Sequence, residues 1–292
     1  MLNLLPSELH QYSLGDMVRG LMAARKPDLA PNLIWPFALG DGIPIRSGRA
    51  AIILSIKALG LEPGSRIGVP LYCCPVVFKA IKAADCRPRF LDVDPGTFCI
   101  SPEDLYAKRS DLDAVVAVHM FGNMCDMGSV QDAMHGKPII EDCAQALGSS
   151  LNDRLAGSMG TIAVFSFRLG KYLSVGEGAA IYTGHSDIRP GAFYNRLMFP
   201  IVFSSTKHRD LLRAALKKRG VSAATPYEEA IEDAAKNYGY NRDCPAAERL
   251  LKRTLVIPCN HKLTTRDIKH IAQSFNDGWE SITTFRGPGN LL

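Results

Sequence analysis

Two short apolar runs constrain this chain more than any other feature. The first, Pro138–Glu141, ends in an acid, Glu141, and is followed directly by another, Asp142; the second run, Ile162–Phe167, opens onto Arg168-Leu169-Gly170-Lys171. Each run is β-branched or aromatic and is bounded by glycine or charge, as a buried strand is. Groups just beyond such strand ends lie where open α/β sheets bind their ligands.

The rest of the chain alternates in the same way. A helical pattern begins in Ile45-Arg46-Ser47-Gly48-Arg49-Ala50-Ala51 and runs through Leu59 to Gly60, with Ser47 placed as N-cap. Such a helix start binds phosphate, or is simply a capped core helix. Strands are predicted at Arg66–Pro70, Arg89–Val93, Ala114–His119 and Ala179–Thr183, and helices at Pro75–Ala84, Pro102–Lys108 and Met127–Met134. Asp94-Pro95-Gly96 reads as a turn. Crossovers of this length imply a mainly parallel sheet covered on both faces, hence an α/β fold. After a crossover over 184–198, a strand at Phe199–Phe203 and helices at Thr206–Lys218, Pro245–Leu251 and Thr265–Phe275 predict a small α+β unit. The expected division is an N-terminal arm over 1–44, with a helix near Gly15–Lys26, a large domain over 45–188, a small domain over 189–285 and a frayed tail over 286–292.

Composition excludes several classes. With 47% hydrophobic and 22% charged residues, the chain has the make-up of a folded globular protein rather than a disordered one. The net charge of +5 is spread out, and its densest cluster, Lys217-Lys218-Arg219, reads as the solvated face of a helix, so no nucleic-acid partner is expected. The eight cysteines form no CxxC pair, so no metal is expected, and adjacent Cys73-Cys74 read as small core residues rather than a redox pair. Without a signal-peptide pattern or a long apolar run, the expectation is a cytoplasmic protein with reduced thiols and no membrane partner.

An acid beyond one strand and a lysine beyond another suit pyridoxal phosphate. The amine can attach to the aldehyde carbon, and the carboxylate can hold the ring nitrogen protonated. With RSGRAAI, GVPLYC, FLDVDPGTFCISPEDL, VAVHMFGNMCDM, IIEDCAQALGSS, GSMGTIAVFSF and GKYLSVGEGAAIYT in order, the chain resembles the DegT/DnrJ/EryC1/StrS family of pyridoxal-phosphate-dependent sugar aminotransferases. The resemblance implies the transferase fold of type I: a three-layer large domain on a mainly parallel, seven-stranded-type sheet, with a small C-terminal α+β domain. It matches Lys171 to the catalytic lysine, Asp142 to the acid on the pyridine nitrogen and Gln145 to a residue beside the ring. It matches Ser166 to a phosphate-binding hydroxyl and Gly48, Arg49 and Ala50 to the phosphate loop. His119 matches a histidine that we read as a supporting wall, and Glu141 is read as structural or solvated.

The resemblance also implies glutamate as donor, a nucleotide-linked keto-sugar as acceptor, and a homodimer. The chain departs from the family pattern at several places. Arg49 stands where a hydroxyl usually meets phosphate; a guanidinium can bind there bidentately. Cys74 stands where an aromatic ring usually stacks on the cofactor, so either Tyr72 substitutes for it or the cofactor is held more loosely. A helical insert is missing near 188–199, with Tyr194-Asn195-Arg196-Leu197-Met198 as its echo. These departures leave open an alternative, a catalytically degenerate protein of the same fold acting as a partner or regulatory subunit. No GxGxxG follows the first strand, which disfavours a dinucleotide-binding fold.

Overall fold

The computed structural model describes residues 42–168, 170–171, 178–182, 198–258 and 263–283. The expected helix near Gly15–Lys26, the 184–197 crossover with its Tyr194–Leu197 echo, and the 286–292 tail lie outside the described residues. Within those described, the chain divides into two compact units, 42–182 with 229–248, and 198–228 with 249–283.

The large unit holds β1 (Ile43–Ile45), α1 (Gly48–Ala58), β2 (Arg66–Pro70), α2 (Val76–Ala83), β3 (Arg87–Leu91), α3 (Pro102–Lys108), β4 (Ala114–Val118), α4 (Met127–Met134) and β5 (Ile139–Asp142). A two-stranded hairpin follows, β6 (Ser150–Leu151) and β7 (Arg154–Leu155), and then β8 (Ile162–Ser166) and β9 (Ala179–Tyr182). Seven strands form one sheet in the order β1-β9-β8-β5-β4-β2-β3. The pairs from β8 to β3 are parallel, while β9 is antiparallel to both β8 and β1. Strand β4, Ala-Val-Val-Ala-Val, is buried at every position, as a strand covered on both faces must be. Gly68 in β2 lets its neighbours close in: a Cβ there would sit 2.8 Å from Leu112 Cδ1.

Local chemistry fixes the helix starts. Ser47 is extended and its Oγ accepts the Ala50 N–H (3.3 Å). Ser101 does the same for Asp104 (3.2 Å), with Pro102 in the first turn, and Asp126 for Ser129 (3.2 Å). In the hairpin, Asn152 and Asp153 both have positive φ (49° and 64°), the requirement of a two-residue I′ turn.

The structure departs from the expected elements in several places. Ile43–Ile45, expected in the arm and helix start, instead pairs with β9 as an edge strand. Residues 229–248 were assigned to the small domain, but they pack on the large unit. Arg89 and Lys108 bond Asp243 (2.7 and 3.0 Å), and the rings of Tyr238 and Tyr240 meet Phe78 and Phe90. The helix Ala230–Tyr238, here α6, lies in that segment, and Tyr238 is followed by Gly239 at φ 68°. Neither α6 nor the strand Thr254–Ile257 was anticipated, and the last helix runs to Thr283 rather than Phe275.

In the small unit, β10 (Phe199–Val202) pairs antiparallel with β11 (Thr254–Ile257). Helices α5 (Thr206–Lys218) and α8 (Thr265–Thr283) pack beside them, around Phe203, Leu212, Leu216, Leu255 and Ile271. The boundary at Glu248 falls inside α7 (Pro245–Arg253). Among the described residues, no helix is long and apolar enough to cross a membrane.

Candidate functional site

Sheet topology gathers four chain segments at one edge. Asp142 and Ser166 are the last residues of the parallel strands β5 and β8. Because β9 runs back against β8, Ala179 pairs with Ser166, and Gly178 arrives at the same edge. Because β1 runs back against β9, Ile45 pairs with Ala179 and delivers Ser47 and the start of α1 there too. A cavity of about 270 Å³ opens at this edge, lined by Ser47, Gly48, Arg49, Cys74, Asp142, Ser166, Arg168 and Lys171, with Ile52, Val76, Val77, Ala144, Val164 and Gly178 completing the wall.

The helix start reaches this cavity in a form suited to an anion. Ser47 Oγ takes the Ala50 N–H, while the amides of Gly48 and Arg49 belong to the first helical turn and have no acceptor within the helix. Gly48 packs against Ser166 so closely that a Cβ would stand 3.3 Å from Ser166 Cβ and 3.4 Å from its Oγ. The serine hydroxyl and the helix start therefore face the same volume.

Asp142 is only 6% exposed. Burial pushes its carboxyl pKa up, while the Ala144 N–H donated to Oδ1 (3.0 Å) and the charge of Lys171 pull it back. Lys171 and Asp142 thus share one cavity and act on each other electrostatically. The Lys171 amide donates to the Arg168 carbonyl (3.1 Å) in a turn that places Gly170 at φ 84°, a conformation that favours glycine.

The residues expected at the site fall into two groups. Lys171, Asp142, Ser166, Gly48, Arg49 and Cys74 line the cavity, and four others stand behind its wall. Ala50 spends its amide on the Ser47 cap. Gln145 is buried, its Oε1 accepting the Phe121 N–H (3.2 Å) and its amide nitrogen 3.4 Å from Met120 Sδ. His119 is fully buried against Glu141. Tyr72 is fully buried with its ring edge-on to Phe98 and Phe121 (centroids 5.3 and 5.9 Å), so it does not take the place of a stacking ring in the cavity. Its neighbours also diverge: Cys73 is buried, its thiol pKa pushed up by that burial, whereas Cys74 is half-buried on the cavity wall. Arg168 on the same wall escaped the sequence reading, although its place between Ser166 and Lys171 was a usable signal.

Glu141 is structural, and it is not solvated. It is fully buried and accepts from the amides of Gly157 (2.9 Å), Met159 (2.6 Å) and Gly160. His119, Glu141 and Cys143 bring potential ligand atoms within 4.8 Å of one another. Both imidazole nitrogens and both Glu141 oxygens are already engaged by protein partners, so the trio is a hydrogen-bonded cluster.

Comparison with known proteins bears on the family and the fold. The sequence profile of the DegT/DnrJ/EryC1/StrS aminotransferase family matches residues 40–197 and 193–276. L-glutamine:2-deoxy-scyllo-inosose aminotransferase of Streptomyces fradiae is 35% identical over 149 residues, covering 50% of this chain and 35% of the relative. The chain therefore spans about a third of that relative's length. The solved aminotransferase TlmJ from Streptoalloteichus hindustanus superposes with a TM-score of 0.83 at 20% identity, covering 96% of this chain and all (100%) of that one. The E. coli GDP-4-keto-6-deoxy-D-mannose-3-dehydratase, solved with bound hydrated PLP, gives a TM-score of 0.81 at 15% identity, covering 94% of this chain and 100% of that one. These two likenesses establish the fold.

Proposed function

The chain belongs to the DegT/DnrJ/EryC1/StrS aminotransferase family, and on that premise we propose that it is a pyridoxal-5′-phosphate-dependent aminotransferase moving an amino group from glutamate to the ketone of a sugar or related polyol. One observation carries the reading: Lys171, Asp142, Ser166 and the start of α1 all line a single cavity at the sheet edge. These residues fit the cofactor group by group. A helix start and a hydroxyl suit its phosphate, apolar Val164 and Val77 suit its ring, and a buried carboxylate suits a cationic ring nitrogen.

When bound, the cofactor supplies an electron sink for the carbon that loses or gains the amine. The Asp142 carboxylate would hold a proton on the ring nitrogen, because burial makes an opposite charge the best partner for its own. Gly48 and Arg49 would offer their amides, and Ser166 its hydroxyl, to the phosphate. Lys171 would hold the aldehyde carbon through its amine, and the same amine would hold or move a proton at the substrate carbon. A lysine at 171 separates this chain from the family's dehydratase branch, where the resemblance places histidine.

The test is spectroscopic. Protein mixed with pyridoxal phosphate is expected to show a visible absorbance band that borohydride abolishes, that Lys171→Ala lacks and that glutamate bleaches. A chain that stays colourless with excess cofactor would instead support the degenerate, partner-subunit reading motivated by Arg49 and Cys74. We further propose a homodimer in the cytoplasm. Light scattering that returned a fully active monomer would refute the dimer.

A further inference from the structure

Resting on that reading of the cofactor cavity, we propose that a second cavity beside it binds the non-reacting end of the acceptor, and takes it as an uncharged polyol rather than as a nucleoside diphosphate. The second cavity measures about 450 Å³ and shares Cys74 and Val76 with the first as lining. The two volumes therefore adjoin at position 74, where the side chain is a short one. An acceptor whose ketone faces Lys171 has this space for its remaining carbons and hydroxyls.

The lining is chemically specific. Glu229, Asp233, Lys236 and Asn237 are spaced at three to four residues or at successive turns, so they form one face of α6 and its N-terminal edge, and Lys79 of α2 also lines the cavity. Glu232, on the same lining, is held by Arg242 at 2.9 Å. Asp233 Oδ1 accepts from Asn237 Nδ2 (2.7 Å), whereas its Oδ2 is buried with no hydrogen-bond partner among the described residues. A buried carboxylate oxygen left in that state is costly, and a hydroxyl or amine donor from a ligand would relieve it.

Charge then selects the ligand class. The lining carries two ammonium groups, Lys79 and Lys236, and three carboxylates, Glu229, Glu232 and Asp233. A diphosphate would bring its negative charge against the three carboxylates, and the two lysines, outnumbered by them, leave no excess of positive charge to hold it. A polyol suits both halves of the lining. Its hydroxyls donate to Asp233 and Glu229 and accept from Lys79, Lys236 and Asn237.

Two unreactive probes test this on the full chain loaded with pyridoxal phosphate: myo-inositol and UDP-glucose, titrated by calorimetry. Inositol is expected to bind and UDP-glucose not to compete with it. Asp233→Asn, which can keep the bond to Asn237, is expected to weaken inositol about tenfold, the loss of a charge-assisted hydrogen bond, with cofactor affinity unchanged. Lys236→Met, changed from the opposite charge, is expected to weaken it as well. Absence of inositol binding, binding indifferent to both substitutions, or displacement by UDP-glucose overturns the proposal. The binding arm needs no turnover, so it reports on this cavity even if the visible band and its bleaching by glutamate fail and take the aminotransferase reading with them.

Discussion

Nε2 of His119 lies 2.9 Å from Oε2 of Glu141, and neither side chain is reached by solvent. Nδ1 of the same ring accepts the Cys125 N–H (3.0 Å), which leaves Nε2 to carry the proton donated to Glu141. Glu141 also gathers the amides of Gly157, Met159 and Gly160, so one carboxylate ties β4's end and the 157–160 loop to β5. Along β5 successive side chains alternate, so the residue that builds the core is followed by the one that faces the cavity, Asp142.

Glu141→Ala is therefore expected to destabilise the fold by about 3–5 kcal/mol, since it leaves buried amides and an imidazole without their acceptor. Urea midpoints of the variant and the parent measure it. Burial works to raise the Glu141 pKa, but the bonds from His119 and the Gly157 and Gly160 amides outweigh it and hold it below 4.5. A depressed folded pKa gives stability that is present above the unfolded value and lost as pH falls through the folded one. Melting points of Glu141→Gln should show a shallower acid slope below 4.5 than the parent; parallel slopes would remove Glu141 from that role.

Asp142 carries the opposite sign. Its folded pKa is raised above 3.8, chiefly by burial, so at neutral pH the ionised side chain costs folding free energy. Asp142→Asn should melt higher than the parent without cofactor, and bind pyridoxal phosphate about ten- to a hundredfold more weakly. A variant less stable and equally tight would show that Asp142 serves the fold and not the ring.

Gly48 and Ser166 are expected to be coupled through space. The methyl of Gly48→Ala would stand 3.3 Å from Ser166 Cβ, tight enough that one of the two must move. Cofactor affinity should fall roughly tenfold, the scale of a single disturbed phosphate contact, while helix stability holds because alanine is the better helix former. A double-mutant cycle with Ser166→Ala should give a non-additive loss. Additive losses would mean that the two residues do not share one anion site.

How much of this was legible in the sequence follows from the range of the interactions. The strands β2, β4, β5 and β8 and the cap at Ser47 could be read because each is set by local pattern, and the resemblance then matched Asp142, Ser166 and Lys171 to the positions that the sheet edge brings together. Tyr72 could not be placed, because its burial depends on Phe98 and Phe121, each more than twenty residues away. Glu141 was ambiguous for the same reason: its partners at 119 and 157–160 are brought to it by tertiary folding, and nothing adjacent announces them. Residues 229–248 were misassigned because an exposed-looking charged helix carries no signal of which unit it covers.

Asp92 shows that principle at its furthest reach, and yields the last prediction. Its carboxylate accepts the amides of Ala246 (3.0 Å) and Ala247 (2.7 Å), the first turn of α7, and so caps that helix from a distant part of the chain. The bond joins residues 154 and 155 positions apart. A carboxylate on two helix-start amides is worth roughly 2 kcal/mol by analogy with local caps and the helix dipole. Asp92→Ala should lose about that amount in urea, and Asp92→Asn less, because an amide oxygen still accepts but carries no charge. Hydrogen exchange discriminates further: Asp92→Ala should speed exchange across 229–248, which that cap and Asp243 tie to β3, and leave β4 and β5 protected. Uniform acceleration over the whole sheet would mean that the contact is part of the global core and does not fasten this segment in particular.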